Sequence, residues 1–156
     1  MTTWQISNLY DQSLQLVEGR GVAKDFEKAF ALNAQAARQG HHDAILAMGW
    51  FYLNGVGVTR DVERARKWYR NSVRQGEAKA MFSLDQIAFD EGDFANALTW
   101  FRRAVDAGHA RSLYWIGKLY WRGDGVPRDR KEAMRLFHRA ASKKVREAKR
   151  VLRFLT

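Results

Sequence analysis

"GVGVTRD", residues 55–61, decides how this chain is read. A glycine-rich turn that opens a helix is one way to build a phosphate site, with backbone N–H groups receiving the anion. Related phrases recur, however, as "GRGVAKD" at 19–25 and "GDGVPRD" at 123–129. A phosphate site is normally built once, whereas a turn that returns in phase belongs to an architecture. No Gly-Lys-Ser/Thr follows the glycines, so the loop is a connector between helices.

Outward from the loop, the closing aspartate sets a register. Asp25, Asp61, Asp93 and Asp129 lie 36, 32 and 36 residues apart. Four residues after each comes Ala29, Ala65, Ala97 or Ala133, and seven after comes Leu32, Trp68, Trp100 or Leu136. Fifteen after, the residues are Gly40, Gly76, Gly108 and then Lys144. Four further on the position is small each time: Ala44, Ala80, Ser112 and Ala148.

Each unit reads as two helices. Ala44, Met48 and Phe51/Tyr52 recur at helical spacing before the turn. Val62, Ala65, Trp68/Tyr69 and Ser72/Val73 do so after it. Asp61 starts the second helix as an N-cap or first-turn acid, and Gly76 ends it. The third unit is four residues shorter and turns from Glu91-Gly92 straight into Asp93. The pair is kept and only the loop shrinks, which tells against the loop as a functional centre. At the C-terminal end, Val145, Ala148, Leu152 and Leu155 make an apolar stripe beside Lys144, Lys149, Arg150 and Arg153, as a capping helix requires.

The stretches 47–77 and 116–142 carry a specific resemblance. Gly49, Tyr52, Gly55, Gly57, Val58, Asp61, Ala65, Trp68, Tyr69 and Gly76 fall on the pattern of the Sel1-like repeat family, a relative of the tetratricopeptide repeats. So do Gly117, Tyr120, Gly123, Gly125, Val126, Asp129, Ala133, Phe137, Ala140 and Ala141. Two units depart from the pattern, with Ser13 and Asp85 where glycine is usual. The resemblance implies an all-α fold: an α-solenoid, a right-handed superhelix of four antiparallel helix pairs with a C-terminal capping helix. The chain is then one domain over 1–156, with repeats at about 6–41, 42–77, 78–109 and 110–145 and the cap at 146–156. It also implies a protein-interaction role, since family members act as adaptors in signalling, secretion and assembly, and some small bacterial members are immunity proteins for secreted effectors.

Composition bounds the chemistry. The 156 residues are 46% apolar and 28% charged, enough for a real core and far from a disordered chain. There is no cysteine, which removes disulfides, thiolate metal sites and cysteine nucleophiles and suits a reducing compartment. The N-terminal stretch has no basic-plus-apolar leader and no apolar run of membrane length, so the expectation is a cytoplasmic protein with no membrane partner. The four histidines have no metal-ligand spacing, and no hydrolase or zinc-protease motif is present. The expectation is a non-enzyme with no metal and no cofactor, either monomeric or weakly dimeric.

Charge and aromatic placement give the positive signal. Residues 1–109 hold 13 Lys+Arg against 13 Asp+Glu, whereas residues 110–156 hold 14 against 4. The whole net charge of +10 therefore lies in the last third and favours an acidic partner. In tetratricopeptide solenoids the first helix of each pair lines a concave groove. Once the core positions are removed, that helix leaves Asp43, Leu46, Trp50 and Leu53 in the second unit. It leaves Lys79, Phe82, Gln86 and Phe89 in the third, and Arg111, Tyr114, Lys118, Trp121 and Arg122 in the fourth. Trp50, Phe82, Phe89, Tyr114 and Trp121 are not aromatic in the repeat pattern, and aromatic and arginine residues are the usual anchors of interfaces. The expected partner-binding groove is thus Trp50, Leu53, Phe82, Gln86, Phe89, Arg111, Tyr114, Lys118, Trp121 and Arg122. Its first occupant is an acidic peptide or protein. An immunity role is the special case, and nucleic acid is the rival because cations interleaved with aromatics also bind phosphates and bases.

Overall fold

Four aspartates start four helices in the same way. The Asp25, Asp61 and Asp129 carboxylates accept from the backbone N–H of Lys28 (3.0 Å), Arg64 (2.9 Å) and Glu132 (2.9 Å). Asp93 accepts from that of Asn96 at 3.3 Å. Each satisfies an orphan donor of the first turn, a contribution of about 1 kcal/mol. In the computed structural model, which describes residues Met1–Thr156, the result is α1 (Thr3–Glu18), α2 (Phe26–Arg38), α3 (His42–Asn54), α4 (Val62–Arg74), α5 (Ala78–Asp90), α6 (Phe94–Asp106), α7 (Arg111–Arg122), α8 (Arg130–Ser142) and α9 (Arg146–Leu155). There are no strands.

The long loops share one closure. The Asp25, Asp61 and Asp129 N–H groups donate back to the carbonyls of Leu16, Tyr52 and Tyr120 at 3.2, 2.9 and 3.0 Å. In the short loop the Asp93 N–H reaches the Ala88 carbonyl at 2.8 Å. The second loop glycine has a packing role. A Cβ on Gly57 would lie 2.0 Å from the Phe26 carbonyl oxygen at the start of α2, and one on Gly125 would lie 2.8 Å from Phe94 Cβ at the start of α6. The loop of one repeat thus rests on the second helix of the repeat before it.

Contacts gather into two compact units, Met1–Glu77 and Ala78–Thr156, which part at a repeat boundary. In the first, α1 to α4 pack consecutively around Ala29, Ala44, Met48, Ala65 and Tyr69, all buried. Phe30 meets Phe51 and Tyr52 edge-on at 5.7 and 5.5 Å. Polar groups close the joints: the Ser13 hydroxyl donates to the Ala29 carbonyl (2.7 Å), and the Asn33 amide donates to that of Ala44 (2.9 Å). In the second unit, α5 to α9 pack consecutively around Ala97, Phe101, Leu113, Leu119, Leu136 and Ala148.

Close helix crossings explain the glycines of the first helices. A Cβ on Gly49 would stand 2.5 Å from the Tyr69 ring, and one on Gly117 would stand 2.6 Å from the Phe137 ring. The third repeat departs from this rule, because the fully buried Asp85 occupies the equivalent position. In the capping helix Val145 and Ala148 are buried, but Leu155 is 38% exposed, so the apolar stripe frays at its last turn.

Candidate functional site

The expected groove residues lie on both units, two on the first and eight on the second. Trp50 and Leu53 lie on α3 in the first unit. Trp50 is the more open, 41% exposed, with its ring edge-on to Phe51 at 5.3 Å. Leu53 is half-buried, and its carbonyl accepts from Arg60 Nε at 2.9 Å.

The other eight lie in the second unit, on α5 and α7, and they form one continuous face. Helical spacing puts Arg111, Tyr114, Lys118 and Trp121/Arg122 along a single stripe of α7. Phe82, Gln86 and Phe89 make the matching stripe on α5. Phe89 lies edge-on to Trp115 at 5.2 Å and joins the two stripes. Phe82 leans on His109 at 4.6 Å, and the Arg111 guanidinium covers its ring at 5.6 Å. Gln86 is half-buried, and its side-chain nitrogen is buried without a hydrogen-bond partner.

Lys118 is the centre of this face. Its ammonium sits 4.3 Å from the Trp115 ring centroid and 5.7 Å from those of Tyr114 and Phe89. Desolvation among the rings lowers its pKa, and the Arg122 charge lowers it further. Arg122 is exposed and has no ion-pair partner. Arg111 does have one, because its guanidinium pairs with Glu147 on α9. The Tyr114 hydroxyl has its pKa raised by burial and by Glu147, with Arg111, Arg122 and Arg150 acting against them. The face therefore combines half-buried aromatic area with positive charge that its own acids do not neutralise.

Trp121 closes the stripe. It is half-buried, 6.5 Å from Phe137, and Arg130 stands over its ring at 4.8 Å. Beside it, Tyr114, Lys118, Trp121 and Arg122 share an open cavity of about 190 Å³ with Phe137, Val151 and Leu155.

Sequence reasoning missed Trp115, Glu147 and the walls from α8 and α9. Trp115 was legible, since it stands three residues before Lys118 on the same side of α7. Glu147 was not, because its partner Arg111 lies on another helix 36 residues away. His41 and His109, set aside as repeat features, serve the starts of first helices. His41 Nδ1 accepts from the Ala44 N–H at 3.3 Å, and His109 Nδ1 lies 3.0 Å from the buried Ser112 hydroxyl. No helix is long and apolar enough to cross a membrane.

The family model described as Sel1 repeat matches residues 16–41, 42–77, 90–109 and 110–145. The third match is partial and begins just before the short loop. A solved Sel1 repeat protein from Oxalobacter formigenes is 28% identical, with a TM-score of 0.83 over 92% of this chain and 60% of that one. The ERAD-associated E3 ubiquitin-protein ligase component HRD3A of Arabidopsis thaliana is 40% identical over 58 residues, which is 37% of this chain and 9% of HRD3A. The immunity protein Pa5087 from Pseudomonas aeruginosa has the same fold at 17% identity, with a TM-score of 0.64 over 92% of this chain and 55% of that one. This chain thus spans less than two thirds of each of these relatives.

Proposed function

The chain belongs to the Sel1 repeat family, whose helix-pair solenoids are protein-interaction scaffolds, and on that premise we propose that its α5–α7 face binds an acidic protein partner. The observation that carries this reading is the cluster around Lys118: half-buried aromatic side chains with two adjacent cations, Lys118 and Arg122, that no carboxylate of the chain pairs with. Aromatic area supplies affinity on desolvation, and the cations steer an acidic partner and raise the association rate. The role is that of an adaptor, with no catalytic step.

The same features argue for protein over nucleic acid. Base stacking needs a free ring face. Here Lys118 lies over the rings of Trp115, Tyr114 and Phe89, and Arg130 lies over Trp121. Of the exposed rings, Trp4, Phe26 and Trp50 lie on a unit whose charges nearly balance, and only Phe154, at the end of α9, stands among the basic residues.

The test is capture from nuclease-treated lysate of the native host, with the wild-type chain and Arg122→Glu side by side. Arg122 is exposed and unpaired, so its reversal leaves the fold intact. The reading expects one stoichiometric protein, acidic on its binding surface, that is depleted with the variant. The identity of that protein separates an adaptor from an immunity role. Recovery of binding only when nuclease is omitted would move the assignment to nucleic acid.

A further inference from the structure

The cavity beside Trp121 has a chemistry of its own. Its floor is the ring of Phe137 on α8, which is buried, and its walls are Tyr114 and Trp121 of α7 and Val151 and Leu155 of α9. Its volume of about 190 Å³ is that of one large side chain. For scale, an apolar protein cavity of roughly 150 Å³ accepts a benzene ring. Lys118 and Arg122 stand together on its rim.

The charges around it are one-sided. From α7 the cavity is faced by Lys118 and Arg122, and Arg150 on α9 adds to the field at Tyr114. Glu147 opposes them, but it is held by Arg111. The Lys118 and Arg122 charges repel each other, and that repulsion is relieved when an anion sits between them. An apolar ligand alone would leave it in place, and a bare anion would leave the apolar walls wet.

We propose that this cavity is an anchor pocket for a peptide segment of the partner. One phenylalanine- or leucine-sized side chain enters between Trp121, Phe137, Val151 and Leu155, and carboxylates on neighbouring residues meet Lys118 and Arg122. The assignment rests on the reading of the α5–α7 face as an interaction surface, and it extends that surface to α8 and α9.

The test uses three short peptides titrated into the isotope-labelled full chain, followed by backbone amide NMR shifts. They are acetyl-Glu-Glu-Phe-Glu-Glu-amide, the same peptide with alanine at the centre, and acetyl-Lys-Lys-Phe-Lys-Lys-amide. The acidic phenylalanine peptide is expected to shift resonances of α7 and α9, at least tenfold more tightly than either control. Leu155→Asp, at an exposed position, and Arg122→Glu should each weaken it by tenfold or more with the rest of the spectrum unchanged. Equal binding of the alanine peptide, or binding that survives Leu155→Asp, would overturn the pocket. So would equal shifts from anionic phospholipid vesicles or from an oligothymidylate. A captured partner lost with Arg122→Glu but kept with Leu155→Asp would overturn the anchor pocket and leave the interaction face standing. A partner kept by both variants would overturn both.

Discussion

Asp85 occupies a position where the flanking repeats have Gly49 and Gly117, and its burial gives the chain a built-in response to pH. The side chain is fully buried, and neither carboxyl oxygen has a hydrogen-bond partner of ordinary geometry. Desolvation pushes its pKa up to about 9, only partly offset by the neighbouring Gln86. The folded chain therefore holds this proton up to about pH 9, while the unfolded chain releases it near 3.8. Between those limits the folded state binds one proton more, so its contribution is fully present below the lower value and declines as pH rises, by about 1.4 kcal/mol per pH unit. Asp85→Asn should flatten this dependence. The check is the urea midpoint of wild type and variant at pH 5 and pH 8, and an unchanged difference between the two pH values would contradict the assignment. Gly117 is the converse case. Gly117→Ala places a methyl 2.6 Å from the Phe137 ring and should cost roughly 1–3 kcal/mol, read as a lower denaturation midpoint. The glycine–ring contacts were implicit in the repeat register. The place of Trp115 beside Lys118 was legible in their i, i+3 spacing, but its contact with Phe89 was not, because that ring reaches it from α5.

At the scale of the helix, the repeat writes its boundaries into single residues, and one boundary breaks the rule. Gly40, Gly76 and Gly108 have φ of 83°, 83° and 91° after α2, α4 and α6. After α8 the same place is taken by Lys144 at φ 66°, where a side chain crowds the backbone. Lys144→Gly should stabilise the chain by about 1 kcal/mol and raise its melting temperature, whereas Lys144→Val should lower it. At the other end of the same helix, Asp129→Ala removes the N-cap and should cost about 1 kcal/mol in a chemical denaturation series. These boundaries were readable because a cap is a local device: the aspartate and the N–H it receives lie three residues apart. The Arg111–Glu147 pair was not readable. It depends on how α9 folds back against α7, which no repeat residue specifies. The pair also makes Arg111 a tie between helices, so Arg122 is the cleaner probe of binding.

At the scale of the molecule, the charge asymmetry and the aromatic face coincide. The basic excess of residues 110–156 includes Arg111, Lys118 and Arg122 on α7, where the side chains least expected from the repeat pattern also stand. Long-range attraction of this kind is screened over roughly 8–10 Å at physiological salt. The association rate with an acidic partner should therefore fall several-fold between 50 and 500 mM salt in stopped-flow measurements, roughly in line with electrostatic steering, with the dissociation rate much less affected. A salt-independent association rate would show that the basic end serves another purpose. The solenoid class and the repeat phases were legible in the sequence because every repeat states them again. The binding face was legible only as a list of surplus aromatics, since its geometry depends on which rings meet across α5 and α7.

Hydroxyl-radical footprinting of the partner complex tests the central claim most directly. Side-chain oxidation is compared in the free and bound chain by mass spectrometry, with exposed Trp4 as the internal reference. The account predicts that Phe89, Tyr114 and Trp121 lose reactivity on binding while Trp4 keeps it. Protection confined to Trp4, or to Trp68 and Trp100 on the second helices, with Tyr114 and Trp121 unchanged, would contradict the α5–α7 face as the binding surface.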